Sequence, residues 1–180
     1  MDAMDKKLLD FMKSQYPQDD WKHHISIVMK YSKYLAELEH ENIEIAELSA
    51  LLHDIGGYRH GWTDHHKTGA IEAEKILKDY GYDKKIIDKV KECIEAHPTS
   101  ATNNPKNKLI TVMRDADTLA HFDAVPWLLF IGLKNEKNYN AAIKWVSDKL
   151  DNDYNHKLHL EESKRIAKGK YAAAKIVLGN

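Results

Sequence analysis

A single cysteine, Cys93, occurs in the 180 residues. No internal disulfide can form, and no cysteine-based zinc cluster is available. Proline (four) and glycine (eight) are sparse and scattered, so no linker composition divides the chain. No apolar run approaches the roughly 20 residues that cross a bilayer. The opening Met1-Asp2-Ala3-Met4-Asp5-Lys6-Lys7 carries acids and lacks the apolar stretch of a secretory signal. An excess of one charge is missing too: 27 basic against 28 acidic residues give −1. That argues against an extended nucleic-acid surface and an acidic tail, while leaving room for local patches. These absences lead us to expect a cytoplasmic protein without a membrane partner. What is plentiful is histidine, with 11 residues against three arginines. With thiols excluded, any metal would be held by imidazole and carboxylate.

The apolar pattern has the helical period throughout, with no convincing alternating strand. It predicts a first helix over 2–14, stopping before Pro17, and a second from Asp19 or Asp20 to Glu39. A third, capped by Asn42, should run to Ile55 and end at Gly56-Gly57. Thr63 or Asp64 opens a fourth, stopped by Gly81, and Asp83 a fifth, ending near His97-Pro98. Residues 98–107 read as a loop and 108–122 as the sixth helix. Two or three more fill the C-terminal third, the last with Ile166, Ala173, Ile176 and Val177 inward. The expectation is an all-α, single-domain bundle of eight or nine helices covering 1–180.

Acids and histidines fall at helix ends and on inward faces. His53-Asp54 follows the apolar Ala50-Leu51-Leu52 and is drawn toward the interior. Two readings are open: a helix C-terminus, where the macrodipole favours His but not Asp, or a ligand pair. Burying a carboxylate requires a compensating cation or several hydrogen bonds. His24 heads the apolar stripe of the second helix, where a satisfied core histidine is the commoner role. Asp117 borders the apolar face of the sixth helix, whereas Asp115 falls further round. His65 lies on an inward face and His97 at a helix end. Two His plus two carboxylates would suit Fe, Mn, Ni, Co or Zn, with positions open for water and substrate.

The ordered set His24, Leu51-Leu52-His53-Asp54-Ile55-Gly56, His65 with Gly69-Ala70, Ile94 to His97, and Asp115-Ala116-Asp117-Thr118-Leu119 resembles the HD-domain superfamily of metal-dependent phosphohydrolases. The likeness covers roughly 20–122. It implies an all-α bundle, with His24, His53, Asp54 and Asp117 as metal ligands. It also implies His65 and His97 as ligands in a two-metal branch, where Asp54 bridges; His60 and His66 rival His65. Gly57 stands where many members have Lys, which leaves Arg59, Lys67 and Arg114 as candidates to contact substrate. His121 and His66 are candidates to support the site, His121 by orienting Asp117. Pro98-Thr99-Ser100 lacks the signature of the cyclic-dinucleotide phosphodiesterases. The 123–180 segment carries no motif.

The expected function is hydrolysis of a small phosphate ester, a nucleotide, by metal-activated water. Asp54 would ligate the metal and help take the water's proton; one or two divalent ions would serve, Mg included. Two rivals use the same residues: a di-iron oxygenase acting on a small polyol or phosphonate, and a non-catalytic nucleotide- or metal-binding sensor.

Overall fold

Apolar side chains at helical spacing dictate where the elements form. The computed structural model describes residues 6–98, 107–136 and 138–179. In chain order they are α1 (Lys6–Gln15), α2 (residues 18–38), α3 (Ile43–Leu52), the short α4 (Ile55–His60), α5 (His65–Asp79), α6 (Lys84–Ala96), α7 (Lys108–Asp123), α8 (Val125–Glu136), α9 (Tyr139–Asn152) and α10 (Glu161–Val177). Helices α2 and α7 pack along one another at the centre, α3 lies against α2, and α5 packs on α6. Val28, Leu35, Leu51, Leu52, Val112 and Leu119 are fully buried between them. The expected loop at 98–107 lies outside the described residues except at its edges, as do residues 2–5 of the first helix.

Local chemistry explains several boundaries. Asn42 caps α3, its Oδ1 accepting from the Ile45 N–H at 2.9 Å. Asn107 and Asn138 cap α7 and α9 in the same manner. Asp64 and Asp83 precede α5 and α6 without making a side-chain cap bond. Two segments widen to π geometry, an arrangement often found at functional sites. One is Trp21–Ile25, within α2, and carries His24. The other is Asp153–Lys157, after α9.

Two expectations are corrected. Helix α3 does not run on to the glycine pair. It ends at Leu52, Asp54 takes φ −99° and ψ 0°, and Gly56 and Gly57 sit inside α4. Close packing is the reason. A Cβ on Gly56 would meet the His65 carbonyl at 2.2 Å and the Gly69 amide at 2.4 Å, so α4 and α5 touch backbone to backbone. In α10, Ile176 and Val177 are exposed, as is Ala173. The inward stripe is Ser163, Ala167 and Ala174, continued by Leu178, because small side chains let α10 settle on α7.

Asp115, expected further round α7, is fully buried. It accepts from the His159 N–H at 3.1 Å and the Leu160 N–H at 2.8 Å, and so pins the start of α10. Among the described residues no helix is long and apolar enough to cross a membrane.

Gly56→Ala tests the close approach of α4 and α5. It should lower unfolding free energy by about 2 kcal/mol or more, as overpacking does, read by chemical denaturation. An unchanged midpoint would contradict the packing.

Candidate metal centre

Four helices and one junction deliver the donors. Burial of Leu51 and Leu52, each worth about 1.5–3 kcal/mol, drives the end of α3 into the interior and carries His53 and Asp54 with it. The turn at Asp54 then lets both side chains face the same space. Helix α2 brings His24 through its π segment, α7 brings Asp117, the start of α5 brings His65, and the end of α6 brings His97.

The donor atoms converge in two groups, His24–His53–Asp117 and Asp54–His65–His97, within each of which they lie inside 4.8 Å of one another. His24 Nε2 is 3.2 Å from His53 Nε2, 3.3 Å from Asp54 Oδ2 and 3.4 Å from Asp117 Oδ1. His53 Nε2 is 3.2 Å from Asp54 Oδ2. In the second group His65 Nε2 is 3.1 Å from His97 Nε2 and 3.6 Å from Asp54 Oδ1. Asp54 therefore offers one oxygen to each group.

Tautomers sharpen this picture. His53 Nδ1 lies 2.9 Å from the Ala50 carbonyl, His97 Nδ1 2.6 Å from that of Ile94, and His65 Nδ1 3.1 Å from that of Trp62. Carbonyl oxygens only accept, so each Nδ1 holds a hydrogen and each Nε2, once free of a second proton, turns a lone pair inward. Facing lone pairs repel unless a proton or a metal ion stands between them. Ligands on a transition ion at about 2.1 Å sit roughly 3.0–3.4 Å apart, so these spacings fit a metal. A buried nitrogen–carboxylate set suits a divalent transition ion.

Protonation follows the same electrostatics. Burial opposes charge on His53, but the adjoining Asp54 carboxylate prevails and lifts its pKa to about 9. Burial, then the charge on His53, push His97 down to about 4, which keeps that imidazole neutral. Asp54 is held well below the usual carboxylate range, against burial, by His53 and His24. A proton on His53 Nε2 and a metal ion there are alternatives.

The cavity above these donors measures about 710 Å³ and is lined by His24, Asp54, His65, His97 and Asp117 among others. The residues expected to contact substrate are placed differently. Arg59 is turned away, its Nη1 donating to Glu72 Oε2 at 2.6 Å and its Nη2 to Gln15 at 2.6 Å. Lys67 is exposed and pairs with Asp64 at 3.2 Å. Arg114 borders the cavity but is buried, donating to the carbonyls of Ala96 and Pro98, which steadies the chain around His97.

His121 does not orient Asp117 by its Nδ1, which meets Asp153 Oδ2 at 2.8 Å; its ring lies parallel to His24 with centroids 5.8 Å apart. His66 and His60 belong to neither donor group, and His60 pairs with Glu72 at 3.3 Å. The Gly57 departure also has a cause: a Cβ there would meet the Trp62 ring at 2.6 Å.

Some residues at the cavity or behind its wall carried no motif. Asp153, fully buried, accepts from His121 and pairs with Lys149 at 3.5 Å and Lys157 at 2.8 Å. Trp145, Lys149 and Lys157 line the cavity, as does Trp127, which is parallel to the His24 ring at 5.7 Å. The helical spacing of Trp145 and Lys149 was the one available signal.

The HD domain family matches residues 22–121, more than half of the chain, and the chain belongs to that family. Two solved structures share the fold. One is a predicted HD superfamily hydrolase from an uncultured Thermotogales bacterium, 24% identical with a TM-score of 0.67, covering 97% of this chain and 88% of that one. The other is the Lin1889 protein from Listeria innocua, 21% identical with a TM-score of 0.72, covering 96% and 90%. No curated protein matches the chain.

Two measurements follow from this geometry. Titrated with Mn²⁺ at pH 7.5, the chain should bind two ions and His97→Ala one, read by calorimetry and elemental analysis; one ion in both would remove the second group. Glu72, clasped by Lys75, Arg59 and His60, has its pKa lowered to about 2. A depressed carboxylate stabilises the fold above its unfolded pKa of about 4.3 and loses that contribution as pH falls toward 2. Glu72→Gln should therefore cost about 1–2 kcal/mol at pH 7 and less than about 0.5 kcal/mol near pH 2, measured by urea unfolding at each pH.

Proposed function

We propose that the chain is a metal-dependent phosphohydrolase that cleaves a phosphate ester, with a nucleotide as the substrate class. The observation carrying this reading is the pair of donor groups sharing Asp54 at the floor of an open cavity. Membership of the HD domain family and the hydrolase named among the similar structures support it.

His24, His53, Asp54 and Asp117 would hold one divalent ion, and Asp54, His65 and His97 a second. Such ions lower the pKa of a coordinated water toward about 7 and offset charge on phosphoryl oxygens. The protein's own part is positional. The Ala50, Trp62 and Ile94 carbonyls fix three imidazoles as Nδ1–H tautomers, so each presents Nε2 without rearrangement. Asp54, with one oxygen turned to each group and its pKa held low by His53 and His24, would serve as the shared ligand rather than as the proton acceptor. His24 is buried, and the rings of His121, held by Asp153, and of Trp127 lie parallel to its own. The two carboxylates, Asp54 and Asp117, repel a phosphate until positive charge is placed among them, which makes activity strictly dependent on added ion.

The purified chain should hydrolyse members of a panel of nucleoside mono-, di- and triphosphates, dinucleotides and cyclic dinucleotides with Mn²⁺. His53→Ala and Asp54→Ala should each lose at least about 100-fold in kcat/KM, as loss of metal ligands does. Full activity in either variant would contradict the assignment. Turnover under strict anaerobiosis separates hydrolysis from an oxygenase reaction on the same donors.

A further inference from the structure

The cations of the cavity come from an unexpected quarter. Arg59 and Lys67 are paired elsewhere, and Arg114 serves backbone carbonyls. Among the described residues, the ammonium groups lining the cavity, Lys134, Lys149 and Lys157, all belong to the C-terminal third. Lys149 and Lys157 share one carboxylate, Asp153, so that edge keeps a surplus positive charge, and Lys134 adds to it. Asp153 also accepts from His121, whose ring lies parallel to that of the ligand His24. The lysine edge is thus one imidazole layer from the donor groups, beside the place a scissile phosphate would take.

The same helices supply an aromatic wall. On α8, Trp127, Ile131 and Lys134 recur at helical spacing along the cavity face; on α9, Trp145 and Lys149 are one turn apart. Gly132 lets α8 and α9 approach, since a Cβ there would stand 3.2 Å from the Trp145 ring. Tryptophan faces take planar rings, and ammonium groups take phosphate oxygens by charge-assisted hydrogen bonds.

We propose that α8, α9 and the π segment after α9 form a second subsite that selects nucleotides carrying at least two phosphates. The base lies on the Trp127–Trp145 wall, and the phosphate next to the scissile one is held by Lys149 and Lys157. This rests on the phosphohydrolase reading of the donor groups and names the substrate class for it.

Binding can be read without metal or turnover. In EDTA, calorimetry with ADP, AMP and adenosine should give AMP, whose one phosphate reaches the lysines, about tenfold tighter than adenosine, one charge-assisted contact's worth. ADP, whose second phosphate meets the bare carboxylates, should bind no tighter than AMP. The double variant Lys149→Gln/Lys157→Gln should bring the AMP/adenosine ratio to about one, while Lys149→Arg/Lys157→Arg should keep it. Trp145→Leu should weaken AMP and adenosine by a similar factor. Equal AMP and adenosine affinities in the natural chain, or an AMP preference unchanged by the double Gln variant, would overturn the subsite; the first comparison needs no variant to fold. With Mn²⁺, kcat/KM for ADP should exceed that for AMP about tenfold, and the double Gln variant should remove that difference.

Bis(4-nitrophenyl) phosphate, which has neither base nor second phosphate, separates the two claims when assayed with Mn²⁺. Its hydrolysis alongside equal AMP and adenosine affinities would remove the subsite and leave the phosphohydrolase. A tenfold preference for AMP over adenosine with no hydrolysis of any ester would remove the phosphohydrolase and leave the subsite.

Discussion

Imidazole nitrogens that face each other at 3.1 and 3.2 Å constrain everything around them. Their Nδ1 atoms are tied to backbone carbonyls in His53, His65 and His97, so their Nε2 lone pairs converge by construction. Convergence of this kind is unfavourable without positive charge at its centre. The fold holds it because helix packing outweighs local repulsion: Leu51, Leu52, Ile55 and Ile94 are fully buried around the donors. A bound cation turns the repulsion into coordination, and the carboxylates of Asp54 and Asp117 complete the neutralisation.

The rest of the architecture serves that point. Gly56 allows α4 and α5 to meet backbone to backbone, which sets His65 opposite Asp54. The π segment of α2 delivers His24. Arg114 holds the carbonyls flanking His97. The buried Asp153 gathers His121, Lys149 and Lys157, so the C-terminal helices form a wall of the cavity as well as a cover for the core.

Much of this was legible in the order of residues. Helical periodicity and the Asn42 cap foretold the bundle, and the apolar run before His53-Asp54 foretold that pair's burial. The family likeness supplied the six donors, and the structure brings all six into two adjoining groups. The break at Asp54 was hidden because glycine ordinarily marks a helix end; here Gly56 and Gly57 answer to close neighbours, the α5 backbone and the Trp62 ring. Arg59 and Lys67 were misjudged because their partners, Glu72 and Asp64, depend on how α4, α5 and the turn between them pack. Lys149 and Lys157 lacked any motif; their place at the cavity depends on a buried aspartate that no local pattern distinguishes. The outward Ile176 and Val177 show a comparable limit, since two apolar stripes were possible and only contact with α7 selects the one built on Ala167 and Ala174.

The most direct test of the account is nitrogen NMR of the imidazoles, using the diamagnetic Zn²⁺ as probe. With histidine labelled by ¹⁵N, addition of Zn²⁺ should shift the Nε2 resonances of His53, His65 and His97 to metal-bound positions while their Nδ1 atoms stay protonated. Unchanged Nε2 resonances, or metal-bound shifts at Nδ1 instead, would contradict the converging lone pairs on which the centre depends.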